Sequence, residues 1–160
     1  MLDIITICDS FENGNTYIVG NEQEVVVIDP ANKLSSITSA IKSRKVLGVF
    51  LTHAHYDHFK TLDSFLKKYN VNLYIHKNGI NKLTDINSSC AFFFSVTSLN
   101  NVNAENIIYI KDNDVINLNN IVIKVITTPG HTNCSVVYQI EDSMFTGDTL
   151  FSDGVGRTDL

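Results

Sequence analysis

Thr52-His53-Ala54-His55-Tyr56-Asp57-His58 places three imidazoles and a carboxylate within six consecutive positions. Imidazole nitrogen and carboxylate oxygen both suit a borderline divalent ion such as zinc. A tight turn can direct His53 and His55 at one ion while Asp57 and His58 face another, so one loop could serve two neighbouring metals. Histidines gathered by chance in a polar loop are a poor account of so dense a cluster with an aspartate.

Two later strings add donors of the same kind. Thr128-Pro129-Gly130-His131-Thr132 follows the apolar stretch Ile121 to Ile126, so Pro and Gly end a strand and leave His131 at its exit. Phe145-Thr146-Gly147-Asp148-Thr149 runs an apolar strand into a glycine and then a carboxylate. Either string alone is an ordinary turn element. Their occurrence together with the histidine cluster points to a shared metal site.

The elements that must position these donors are short. Leu47 to Leu51 reads as a buried strand whose end carries the histidine loop, the usual place for catalytic groups on a rigid scaffold. Further strands are expected at Leu2 to Ile7, Thr16 to Val19, Val25 to Asp29, Asn72 to His76, Ile107 to Lys111, Val115 to Leu118, Ile121 to Thr127, Ser135 to Ile140 and Ser143 to Thr146. Helices are expected over Lys33 to Ser43 and Thr61 to Tyr69. Thr84 to Ala104 gives no clear periodicity, and its Phe92-Phe93-Phe94 run either lines the approach to the metals or packs a helix onto the sheet.

HAHYDH, then PGHT, then TGDTLF followed by GVGRTDL, together with the strands Asn15 to Val19 and Val25 to Pro30, resembles the metallo-β-lactamase superfamily and within it the glyoxalase II-like hydrolases. The resemblance implies an α/β fold, the αββα sandwich, with 1–160 as one incomplete domain. It makes His53, His55 and His131 the ligands of a first metal, Asp148 a bridge, and Asp57 and His58 ligands of a second. The family's last ligand is a histidine in a Gly-His-Gly segment downstream of the Arg157-Thr158-Asp159 string, beyond Leu160. The chain is therefore expected to be C-terminally truncated, with two zinc sites of which the second is incomplete. Iron and manganese are the other ions such donors accept.

The implied function is a metal-dependent hydrolase acting on a small-molecule thioester or related ester, with hydroxyacylglutathione as the substrate the likeness points to. A metal-activated water attacks the carbonyl, and Asp57 both ligates and orients it as the catalytic residue. Asp29, Arg157 and Asp159 are expected to hold ligand loops in place. Two rivals stand beside this reading. One is a persulfide dioxygenase-like oxidoreductase with one iron on His53, His131 and Asp148, and the other a metal-binding remnant without activity.

Other features bound the reading. With 160 residues, 44% of them hydrophobic, the chain can bury a core as one domain. The sandwich's missing elements would leave apolar sheet uncovered, which predicts self-association, such as a homodimer, or marginal stability. A net charge of -5 with no basic stripe disfavours nucleic acid. Cys8, Cys90 and Cys134 lack the number and spacing of a disulfide framework, and no leader or membrane-length apolar run occurs, so a cytoplasmic location is expected. His76 reads as a strand-end residue and Cys134 as a small buried thiol.

Overall fold

The computed structural model describes residues 2–10, 13–100, 102 and 107–159. Six strands form the first sheet in spatial order β1 (Asp3–Ile7), β2 (Thr16–Gly20), β3 (Glu24–Ile28), β4 (Lys45–Phe50), β5 (Leu73–His76) and β6 (Ile107–Ile110). The first three pair antiparallel, while β3 to β6 run parallel. The crossovers between parallel strands carry α1 (Leu34–Ile41), α2 (Tyr56–Phe59) and α3 (Leu62–Tyr69). A second, antiparallel sheet has the order β10 (Ser143–Phe145), β9 (Val136–Ile140), β8 (Ile121–Thr127), β7 (Val115–Leu118). Strands β11 (Leu150–Phe151) and β12 (Gly154–Val155) make a separate hairpin.

The alternation of β3 explains the layering. Val25 and Val27 turn to a core with Ile37 and Ile41 of α1 and Leu62, Phe65 and Leu66 of α3. Val26 and Ile28 turn the other way, onto Ile121, Ile123 and Val125 of β8 and Val136, Tyr138 and Ile140 of β9. A strand buried on both faces needs an unbroken apolar run, and Val-Val-Val-Ile supplies it. In β8 the residues between the buried ones, Val122 and Lys124, are exposed, as is Met144 of β10. Among the described residues the layers are thus helix, sheet and sheet.

The expected elements are present with boundaries moved by no more than two residues. Helix α1 is shorter than Lys33 to Ser43, and β4 starts at Lys45 rather than Leu47. Helix α3 ends on Asn70 in the left-handed conformation, φ 47°, which Asn tolerates at a helix end. Within the stretch without periodicity, Ala91–Phe94 forms a 3-10 turn, as does Lys77–Thr84 before it. Of that stretch, 101, 103 and 104 lie outside the described residues. Phe92 and Phe93 are exposed, so the reading in which they pack a helix onto the sheet fails.

Candidate metal centre

The donors arrive from three strand ends at one edge of the two sheets. After β4 the chain passes through Leu51 and Thr52 to His53, and α2 starts at once with His55 as its extended N-terminal flank. Asp57 and His58 thereby fall in the single turn of α2. His131 follows β8, and Asp148 lies in the 3-10 turn Gly147–Thr149 after β10. The sheets are stitched beside the site, where the Val136 amide donates to the Thr52 carbonyl at 2.8 Å and the Tyr138 hydroxyl to the Leu51 carbonyl at 2.6 Å.

Six expected site residues converge. Single donor atoms of His53, His55 and His131 lie within 4.8 Å of one another, and so do those of His53, His58 and Asp148. Asp148 faces both groups, with Oδ1 3.0 Å from His58 Nε2 and Oδ2 3.5 Å from His131 Nε2. Asp57 Oδ2 is 3.6 Å from His58 Nε2, but Asp57 belongs to neither triad. His53, expected beside the first group alone, stands between the two.

The surrounding hydrogen bonds fix which nitrogens face inward. Thr52 Oγ1 donates to Asp29 Oδ2 at 2.6 Å, so at 3.2 Å it accepts from His53 Nδ1. That tautomer leaves His53 Nε2 with a free lone pair, and this buried atom has no hydrogen-bond partner. His131 Nδ1 donates to the Arg157 carbonyl at 2.8 Å, which turns its Nε2 inward to 2.9 Å from His55 Nδ1. Two imidazole lone pairs meeting at that distance repel unless a cation or proton lies between them. The orphaned His53 Nε2, beside a pair of imidazole nitrogens that can share either a proton or a cation, fits a divalent ion, and orienting partners on the outer nitrogens are what metal-bound imidazoles use.

Electrostatics divide the cluster. Burial, followed by the neighbouring histidines, holds His53 well below its ordinary value of 6.5. Burial and then His131 lower His55 to about 4. Burial also opposes charge on His58, yet Asp29, Asp148 and Asp57 outweigh it and raise that imidazole well above 6.5. Asp57 is raised, by burial first and by the carboxylates of Asp148 and Asp29. For Asp148 burial acts upward, but the hydrogen bond and charge of His58 prevail and lower it.

Two residues at the site carried no role in the sequence reading. Thr52 links Asp29 to His53, a task for a small hydroxyl directly before the ligand loop. Gly14 faces the His58 ring so closely that a Cβ there would come within 2.6–2.8 Å of it. No local signal marks that approach, because the two positions meet only in the fold. Asp29 itself accepts from the Thr52 amide at 2.8 Å and from His58 Nδ1 at 2.9 Å. Arg157 and Asp159 form an exposed ion pair at 2.8 Å, and only the Arg157 carbonyl reaches a histidine. His76 accepts from the Asn78 amide away from the cluster, and Cys134 is buried against Thr132.

Two cavities flank the donors and share Asp57, Asp148 and Phe151. One of about 590 Å³ opens on the His58 side among Asn13, Asn15, Ser152 and Asp153. The other, about 360 Å³, opens on the His55 and His131 side against Cys90, Phe93 and Phe94. No helix among the described residues is long and apolar enough to cross a membrane.

Residues 9–160 match the family described as the metallo-beta-lactamase superfamily. A probable metallo-hydrolase of Bacillus subtilis (strain 168), YqgX, is 30% identical over 150 residues, covering 91% of this chain and 70% of that protein. A hydroxyacylglutathione hydrolase of Shewanella halifaxensis is 29% identical over 157 residues, and there the chain spans 54% of the relative's length. The solved structure of BLEG-1 B3 metallo-beta-lactamase superposes with a TM-score of 0.85 at 26% identity, over 100% of this chain and 78% of that one. By sequence and by fold, the chain belongs to the metallo-beta-lactamase superfamily.

Proposed function

We propose that this chain is a metal-dependent hydrolase of a small-molecule thioester or related ester. The observation that carries the reading is the buried, partnerless Nε2 of His53 at the meeting point of two donor triads. His53, His55 and His131 would hold one divalent cation, zinc being the ion such nitrogens suit, with iron or manganese as alternatives. His58, Asp57 and Asp148 would hold a second, and the two oxygens of Asp148 face His58 on one side and His131 on the other.

When bound, such cations lower the pKa of water to about 7 and withdraw electron density from a carbonyl. The chain's own residues do the rest. Asp57 lines both cavities, so its carboxylate can orient a water between them and take its proton at an oxygen. The same carboxyl is placed to return that proton to the departing sulfur or oxygen. Thr52, Asp29 and the Arg157 carbonyl keep His53, His58 and His131 in the tautomers that present Nε2 inward.

Metal analysis of protein purified without added metal, paired with a thioester hydrolysis assay, tests the proposal. Bound zinc with turnover that disappears in His53→Ala and in Asp148→Ala is the expected result. A single iron per chain with sulfite release from a persulfide would replace the hydrolase reading by the oxidoreductase one. Stoichiometric metal without turnover of any ester would leave a metal-binding protein.

A further inference from the structure

Five of the residues that expose large apolar side chains sit on two loops beside the donors: Phe92 and Phe93 on the 3-10 turn Ala91–Phe94, and Leu150, Phe151 and Val155 on the β11–β12 hairpin. Phe93 is 65% exposed and Phe151 46%, although each lines the 360 Å³ cavity. Apolar rings left open to water around a concave site are the usual mark of a ligand surface. Phe94, the third ring, is seated against Tyr56 at 5.6 Å and under the Lys60 ammonium at 4.6 Å.

The cationic side chains in and around that cavity each have a partner within the chain. Arg157, the one cation among its described lining residues, donates from Nε and Nη2 to the two oxygens of Asp159, each at 2.8 Å. Lys82, whose charge reaches His53 and His55, donates to the Ser88 carbonyl. The cavity on the other side has no Lys or Arg among its described lining residues and presents Asp153. Lys60, at its rim, donates to Asn13 Oδ1 at 2.6 Å.

We infer that the phenylalanine-walled cavity receives the acyl part of the substrate as an uncharged, apolar chain or ring, while the cavity beyond Asp57 and Asp148 receives a polar but not polyanionic leaving group. This rests on the hydrolase reading and narrows it. Burying an alkyl chain against Phe93 and Phe151 removes apolar surface from water on both partners. A carboxylate on the acyl chain, held at the Phe93 and Phe151 wall, would exchange its hydration for apolar rings. A glutathione thioester carries two carboxylates on its leaving group, and the polar cavity offers them acidic neighbours. The substrate class is therefore a thioester or ester with an uncharged, apolar acyl group, and a leaving group with fewer carboxylates than glutathione suits the polar cavity better.

The test uses acetyl, butyryl and octanoyl thioesters of neutral N-acetylcysteamine and the octanoyl thioester of glutathione, on the full chain. Two readouts are taken: kcat/KM of the metal-loaded protein, and binding to the metal-free protein by calorimetric titration, where turnover plays no part. The octanoyl compound should bind at least about tenfold more tightly than the acetyl one, the low end of what a single buried methylene contributes in an apolar pocket and a modest demand on the six by which the two differ. Phe93→Ala and Phe151→Ala should each cut that octanoyl-to-acetyl discrimination, and both sit at exposed positions that the fold tolerates. Equal binding along the series, or a preference for the glutathione thioester, overturns the inference even if hydrolysis occurs. Absence of turnover with the chain-length preference intact would instead overturn the hydrolase reading and leave the pocket assignment standing.

Discussion

Asp29 Oδ2 lies 2.9 Å from His58 Nδ1. The same carboxylate accepts from the Thr52 amide and hydroxyl, so one buried aspartate orients imidazoles on both sides of the donor cluster. Its backbone sits at φ 50°, a left-handed conformation that Asp and Asn reach more readily than most residues.

Asp29→Asn keeps that backbone and most of the shape but removes the charge and one acceptor. Metal affinity should fall by about 10–100-fold, the usual cost of losing an orienting partner. The loss should be larger for the cation held with His58 than for the one held with His55 and His131. Competition with a chromophoric chelator measures both, and unchanged affinities would remove Asp29 from this role.

His53 buries a lone pair with no partner, a defect that costs about 1–3 kcal/mol when nothing binds it. His53→Leu fills a similar volume without the polar atom. The metal-free variant should be at least as stable toward urea as the parent chain, while zinc should no longer raise its Tm. Stability present in the holoprotein and absent in the variant is then the linkage contribution of the ion. A metal-free His53→Leu chain clearly weaker than its parent would show that Nε2 is satisfied after all.

The shifts on the histidines oppose one another, and the pH dependence follows their signs. His53 and His55 are lowered in the folded chain, so the stability they confer as neutral groups is full above pH 6.5 and is lost on acidification, for His55 toward about pH 4. His58 is raised, so its contribution is full below pH 6.5 and disappears as pH climbs through its elevated value. At neutral pH no proton has to leave His53 or His55 for a cation to bind, whereas His58 must give one up. Calorimetric titrations in buffers of different ionisation enthalpy should show a proton released with the His58 site and lost in His58→Gln. Identical proton release from the two proteins would contradict the assignment.

Most of the architecture was legible because β3 is an unbroken apolar run, β8 and β9 are strand-length runs rich in β-branched residues, and HAHYDH, PGHT and TGD sit just past strand ends. The convergence of His53, His55, His58, His131 and Asp148 was foreseen for the same reason. The placement of His53 in both triads was not, since spacing along a loop does not say which way an imidazole turns. Helix α2 escaped notice because one turn has no period to detect. The Phe92 to Phe94 run stayed ambiguous because a 3-10 turn can show apolar rings to water or to the core, and only the facing hairpin decides.

Tyr138 joins fold and site through one bond. Its ring is fully buried between the sheets, edge-on to Phe50 at 5.4 Å, and its hydroxyl donates to the carbonyl of Leu51, two residues before His53. Tyr138→Phe retains the packing and deletes the donor, leaving a buried carbonyl one partner short at a cost of about 1–3 kcal/mol. The urea midpoint should drop with an unchanged m value, since the surface exposed on unfolding stays the same. Because the Val136 amide still holds the Thr52 carbonyl and Asp29 still holds the Thr52 amide and hydroxyl, the ligand loop keeps its other anchors. Metal affinity should therefore change much less than in Asp29→Asn. An unshifted midpoint, or a loss of metal binding equal to that of Asp29→Asn, would mean that the inter-sheet bond does something other than hold the end of β4 against β9.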